Sequence, residues 1–213
     1  MAPDLVVIHY TVLGLEETLA RLCDPVAEVS AHYVIAADGE VFRLVEEGAR
    51  AWHAGAGRWG AVADVNSRSI GIELVNRGDH PFAAAQMAAL EGLLPGIMAR
   101  WVVPAERVIG HSDMAPARKR DPGLRFDWAR LARGGMAVWP AGGSSPLPDG
   151  RVSGFRGAAV AFGYDSGLSD DQLLAAFRLR FRPGAAGPLD VVDLAMAADL
   201  ARRFPVDGGA GGA

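Results

Sequence analysis

The chain reads as an α/β protein, with a mixed central β-sheet flanked by helices and a small C-terminal three-helix module. Three features predict this. Leu5-Val6-Val7-Ile8-His9-Tyr10-Thr11 is a continuous apolar run that closes on polar groups, as in a strand buried on both faces. From Phe82 to Trp101 the apolar residues Met87, Leu90, Leu94, Ile97 and Met98 recur at helical spacing. Pro140-Ala141-Gly142-Gly143-Ser144-Ser145-Pro146-Leu147-Pro148 has the composition of a linker, and beyond it the pattern is helical.

Taken in order, the first strand is followed by a short helix, Leu15 to Cys23, stopped by Asp24-Pro25. Ala31 to Ile35 and Val41 to Val45 form a hairpin around the turn Ala37-Asp38-Gly39-Glu40. Ala51-Trp52-His53-Ala54-Gly55 opens a Gly-rich loop running to Gly60. Ser69 to Asn76 is another strand, with Glu73 set among apolar neighbours. The helix from Phe82 to Trp101 contains Gly92, Pro95 and Gly96, which predict a kink. Val108-Ile109 ends a strand, and Asp127 to Arg133 closes the first part. In the tail, Phe155 to Phe162 is a helix. Ser169 with Gln172 forms a capping box for a helix whose stripe is Leu173, Leu174, Phe177 and Phe181. Leu189 to Phe204 is a third helix.

With 213 residues, half of them hydrophobic, the chain can bury a sizeable core. The net charge of −4, with both signs dispersed, argues against a nucleic-acid partner. A single cysteine excludes an intrachain disulfide and a thiolate-rich metal site, so any metal must use His and carboxylate. Cys23 itself is expected as a small buried apolar residue. No apolar run reaches the roughly 18 residues of a membrane span. The start has no basic region followed by a signal-like apolar one. As written, a cytoplasmic location is expected, or the cell envelope if an export signal has been removed, and the protein is expected to be a monomer.

The stretch Ile109 to Gly123 carries His111, Lys119 and Asp121 in a loop just past a strand end. That placement suits a metal-assisted hydrolase. His9 ends another buried strand. His9, His111 and Asp121 together offer two neutral nitrogens and one oxygen, the three protein ligands of a catalytic zinc site whose fourth position stays open. Glu73 is then the candidate base, since a carboxylate among apolar residues is costly unless it has a task. The bland alternatives are satisfied core imidazoles, an outward-facing Glu73 and a turn begun by Asp121 before Pro122. His80, in an Asp-His-Pro turn, is expected at the surface.

Five blocks in order resemble the zinc-dependent N-acetylmuramoyl-L-alanine amidases of type 2, whose fold is shared with peptidoglycan recognition proteins. They are Ile8-His9-Tyr10-Thr11, Ser30 to Ile35, Ala51 to Gly55, Ser69 to Glu73, and Gly110 to Pro116 with Lys119-Arg120-Asp121-Pro122-Gly123. The resemblance implies Zn²⁺ on His9, His111 and Asp121, Glu73 as general base and Lys119 at the developing oxyanion. It implies Trp52, His53 and Asn76 along the substrate groove, and His32 and Tyr33 supporting the site. The bond cut would join N-acetylmuramic acid, in its ordinary or 1,6-anhydro form, to the L-alanine of a peptidoglycan stem peptide. Its partners would be muropeptides and the polymeric cell wall. The alternative on this fold is a module that binds muropeptides without cleaving them. Phe162-Gly163-Tyr164-Asp165 and Ala176 to Pro183 more weakly resemble a helical peptidoglycan-binding module. The expected division is therefore a catalytic domain over 1–139, a linker over 140–150, the helical module over 151–205 and a disordered tail over 206–213.

Overall fold

The computed structural model describes residues 1–141 and 151–207. Of the expected linker over 140–150 and disordered tail over 206–213, residues 142–150 and 208–213 lie outside the described residues, while Val206 corrects the start of that tail: it is buried in the core and its N–H donates to the Ala161 carbonyl at 3.2 Å. Five strands form one mixed sheet in the order β3-β2-β4-β1-β5. They are β1 (Leu5–Tyr10), β2 (Tyr33–Ile35), β3 (Val41–Arg43), β4 (Ser69–Leu74) and β5 (Val108–Gly110). β1 is central and pairs in parallel with β4 and β5. β2 runs parallel to β4 and antiparallel to β3, so the Asp-Gly hairpin supplies the antiparallel edge.

The continuous apolar run of β1 is explained by what covers it. On one face Val6, Ile8, Ile70, Ile72 and Leu74 pack against Met87, Leu90, Leu94 and Ile97 of α2 (Ala84–Trp101). α2 runs as a single helix through Pro95. On the other face Leu5, Val7 and Ile109 join Trp59, Phe155, Phe162, Phe177, Phe181 and Leu200 in one core. The last five of these residues belong to the C-terminal helices. The tail segment is thus the second helical layer of the sheet, which could not otherwise bury that face.

The remaining helices are α1 (Leu15–Cys23), α3 (His111–Met114), α4 (Trp128–Arg133), α5 (Arg151–Phe162), α6 (Asp170–Phe181) and α7 (Val191–Arg203). The capping box at the start of α6 has both its bonds, from Gln172 N–H to Ser169 and from Ser169 N–H to Gln172. Three expectations are corrected. Cys23 is exposed, because α1 lies at the surface and buries only Thr18. The hairpin strands are shorter than expected, at three residues each. The stretch after Ile109 is not loop throughout, since His111 to Met114 form one helical turn, α3. Among the described residues no helix is long and apolar enough to cross a membrane.

Candidate metal centre and active site

Strand register brings the chemistry together. His9 and Glu73 are register partners on β1 and β4. Side chains alternate along a strand, so both face away from the α2 core. His111 opens α3 directly after β5, the other neighbour of β1. Ser112 N–H donates to the Asp121 carbonyl at 2.8 Å, folding the loop back so that Asp121 meets both imidazoles. His9 Nδ1 and His111 Nδ1 lie 2.9 Å apart, and each is 3.0 Å from Asp121 Oδ2. All three residues are buried, and their ligand atoms group as a candidate metal site.

The ring protons all point outward. His111 Nε2 faces the Ala54 carbonyl at 2.8 Å; a carbonyl only accepts, so this nitrogen carries the hydrogen. Ser69 Oγ donates its one hydrogen to the Val65 carbonyl at 2.6 Å. It must therefore accept from His53 Nε2, 3.3 Å away. His53 Nδ1 is then bare and accepts from His9 Nε2 at 3.0 Å. Burial, together with the neighbouring His111, pushes the His9 pKa down to about 4, so its ring is neutral. A neutral ring with its hydrogen on Nε2 turns Nδ1 inward as a lone-pair acceptor, and the carboxylate oxygen that both Nδ1 atoms face is an acceptor too. Three acceptors converging without a donor are favourable only around a cation, and outward bonds of this kind are how metal-ligating histidines are oriented.

Beside this cluster, Glu73 Oε2 is sealed from solvent and has no hydrogen-bond partner among the described residues. Burial, reinforced by the Asp121 carboxylate, raises the Glu73 pKa to about 8. A groove of about 470 Å³ opens over the cluster, lined by His9, Glu73, Trp52, Lys119, Arg21 and Arg118 among others. Trp52 stands at its rim, 55% exposed, with the Arg50 guanidinium 4.3 Å from its ring centroid. Arg118 donates to the carbonyls of Ala54 and Ala56, fixing the loop that holds His111 Nε2.

The family model described as N-acetylmuramoyl-L-alanine amidase matches residues 1–124.

The chain belongs to that amidase family.

The amidase is 34% identical to N-acetylmuramoyl-L-alanine amidase AmiD of Escherichia coli K12, over 95% of this chain and 84% of that protein. It is 41% identical to 1,6-anhydro-N-acetylmuramyl-L-alanine amidase AmpD of Enterobacter cloacae, over 48% of this chain and 55% of that one. Its fold superposes with a TM-score of 0.87, at 32% identity, on E. coli AmiD in complex with anhydro-N-acetylmuramic acid-L-Ala-D-gamma-Glu-L-Lys, covering 97% of this chain and 91% of that one. AmpDh3 of Pseudomonas aeruginosa follows at 0.81 and 30%, covering 96% and 93%.

His9, His111, Asp121, Glu73 and Lys119 thus meet at one groove, with Trp52 on its rim. His53 lines the groove but also backs His9, and His32 sits behind it with its own tautomer set. His32 Nδ1 accepts from Gly71 N–H at 2.9 Å, so the ring hydrogen is on Nε2, 3.1 Å from the Ala49 carbonyl. Two expected roles are corrected. Tyr33 points to the α2 side, opposite the metal cluster, and donates to Glu47 at 2.6 Å. Asn76 is buried, and its side chain is spent on its own loop, accepting from Gly78 N–H at 2.7 Å and meeting His80 at 3.2 Å. Asn66 and Ser69 support the site without having been singled out in the sequence. Asn66 Oδ1 accepts the backbone N–H groups of His53 and Ala54, at 3.1 and 2.9 Å. One signal did point to His53. Gly71 sits within β4, where a Cβ would lie 2.3 Å from the His53 ring.

Proposed function

We propose that this amidase hydrolyses the amide bond between the lactyl group of N-acetylmuramic acid, including its 1,6-anhydro form, and the L-alanine of the stem peptide, with Zn²⁺ held by His9, His111 and Asp121. The observation that carries the proposal is the set of three convergent acceptors with a buried, unpaired carboxylate oxygen, Glu73 Oε2, beside it. Two imidazoles and one carboxylate, without thiolate, suit zinc with an open position. When bound, zinc supplies Lewis-acid polarisation of a carbonyl and acidifies water. The relatives named for this bond, and the anhydromuramyl peptide in the AmiD complex, support the substrate assignment.

The side chains divide the remaining work. Glu73, beside the cluster, accepts a proton from the attacking water and returns it to the departing alanine amine. Lys119 brings a cation to the charge developing on the scissile oxygen. The exposed Trp52 ring offers an apolar face to a sugar or peptide in the groove. The same bond occurs in soluble muropeptides and in polymeric wall, and both are substrates under this proposal. The test is incubation with defined muropeptides, with and without the anhydro ring, read by mass spectrometry before and after chelation. Release of the intact stem peptide, abolished by chelator and restored by zinc, is the expected result. Chelator-indifferent cleavage would remove the zinc assignment.

A further inference from the structure

The bonds that join the C-terminal helices to the metal-site loop converge on one carboxylate. Asp113 lies two residues after His111 on α3 and is 1% exposed. Its Oδ2 accepts from Gly110 N–H at 2.8 Å and from Arg180 Nη1 at 2.7 Å. Its Oδ1 accepts from the Tyr164 hydroxyl at 2.8 Å. Arg180 lies on α6 and Tyr164 just after α5, so two of the three donors come from the C-terminal segment. Arg180 also donates to the Val108 carbonyl of β5 at 3.2 Å, and its guanidinium sits 4.1 Å from the Trp128 ring centroid. The third donor, Gly110 N–H, forms with Asp113 the cap of α3, whose first residue is His111. The next residue of that turn, Ser112, holds the Asp121 backbone.

We propose that Tyr164 and Arg180 are positioning residues for the metal centre. They hold Asp113, and through the α3 turn they fix the His111 imidazole and the Asp121 backbone. The proposal rests on the zinc assignment above. A helix of one turn cannot orient itself, so its cap and the partners of that cap decide where its side chains point. A carboxylate taken from water needs donors on both oxygens. Without the Tyr164 hydroxyl, Oδ1 regains a donor only if Asp113 moves and takes the turn with it. Tyr164 is itself pinned. Trp59 packs edge-on against Phe162 and Tyr164, with centroids 5.4 and 5.1 Å away. Gly163, at φ +136°, passes so close that a Cβ would lie 2.5 Å from the Trp59 ring. Gly60 N–H donates to its carbonyl at 2.7 Å. The Phe-Gly-Tyr motif of the helical segment is therefore an internal contact of the catalytic unit.

The experiment uses the full chain, with zinc affinity measured by chelator competition and ligand geometry by the visible spectrum of the Co²⁺-substituted protein. The variants are Tyr164→Phe, Arg180→Lys and, as control, Arg178→Met. Arg178 lies on the same helix, but it pairs with Asp193 within the C-terminal segment. Tyr164→Phe is expected to weaken zinc binding by about tenfold or more, in the range for outer partners of metal ligands, and to change the cobalt spectrum. Arg180→Lys should do the same to a smaller degree, and carries the test if Tyr164→Phe fails to fold. Arg178→Met should lower Tm while leaving affinity and spectrum as in the wild type. Wild-type affinity and spectrum in folded Tyr164→Phe would overturn the proposal, as would an equal affinity loss in Arg178→Met at matched Tm. A wild-type protein that binds no zinc would overturn the zinc assignment itself, and that result is visible before any variant is compared.

Discussion

Glu73 shows how one residue can be costly for the fold and useful for chemistry. Its Oε2 is buried and unpaired, and its pKa is raised to about 8. A carboxyl with a raised folded pKa binds more protons folded than unfolded between its ordinary value and about 8. Stability therefore falls as pH rises through that window. In the metal-free protein Glu73→Gln should accordingly raise Tm at pH 8, by the equivalent of roughly 1–3 kcal/mol for relief of an unsatisfied buried group, and change it little at pH 4. Thermal unfolding of both proteins across pH checks this; a Tm gap independent of pH would contradict it. In the zinc-loaded enzyme Glu73→Ala should keep its metal but lose roughly 10²–10⁴-fold in turnover. His111→Ala should lose both, and metal analysis beside the rate assay separates the two roles.

At the scale of elements, β4 and the loop before it set the site. Gly71→Ala would drive a methyl into the His53 ring, which would tilt the imidazole off His9. A cost of roughly 1–3 kcal/mol in stability for overpacking and weaker zinc binding are expected together, measured by denaturant unfolding and chelator competition. On the opposite face Glu47 ties β2 to α2. Arg100 first, and then the Tyr33 hydroxyl and the Trp101 indole, hold its pKa down to about 2. A depressed carboxyl contributes stability above its unfolded value that is lost as pH falls from about 4.5 towards 2. Glu47→Gln should therefore lower Tm at neutral pH and flatten the acid limb of the stability curve. Unchanged acid sensitivity would mean that other carboxylates dominate it. The long elements were legible because their periodicity is strong: β1 by its apolar run, α2 by its stripe, α6 by its capping box. The hairpin strand β2 was legible too, but so short a strand does not reveal which face its residues take, and Tyr33, expected to support the site, lies on the α2 side. Asn76 misled because a polar residue past a strand end serves a turn as readily as a groove.

For the whole molecule, the sequence break near Pro140 suggested a detachable module, yet the sheet and the C-terminal helices share one core. The long-range partners explain why the sequence did not reveal this. Asp113 finds Tyr164 and Arg180 at separations of 51 and 67 residues, and nothing local marks that pairing. A chain ending at Trp139 would expose Leu5, Val7, Trp59 and Ile109, each worth roughly 1.5–3 kcal/mol when a large apolar side chain is buried. It should be poorly soluble and lose activity on soluble muropeptides and on sacculi alike. Full activity on the soluble substrate would show that the sheet stands without its second helical layer.

The proposed chemistry is one bond cut, by water, at a zinc site completed by Glu73. It is tested most directly by digesting an anhydromuramyl tripeptide in H₂¹⁸O with zinc-loaded enzyme and locating the label by mass spectrometry. One ¹⁸O is expected in the lactyl carboxylate of the sugar product, with an unlabelled stem peptide bearing a free L-alanine amine, both absent when Glu73→Gln replaces the wild type at equal zinc content. Label at a carboxyl within the peptide, or undiminished cleavage by Glu73→Gln, would contradict it.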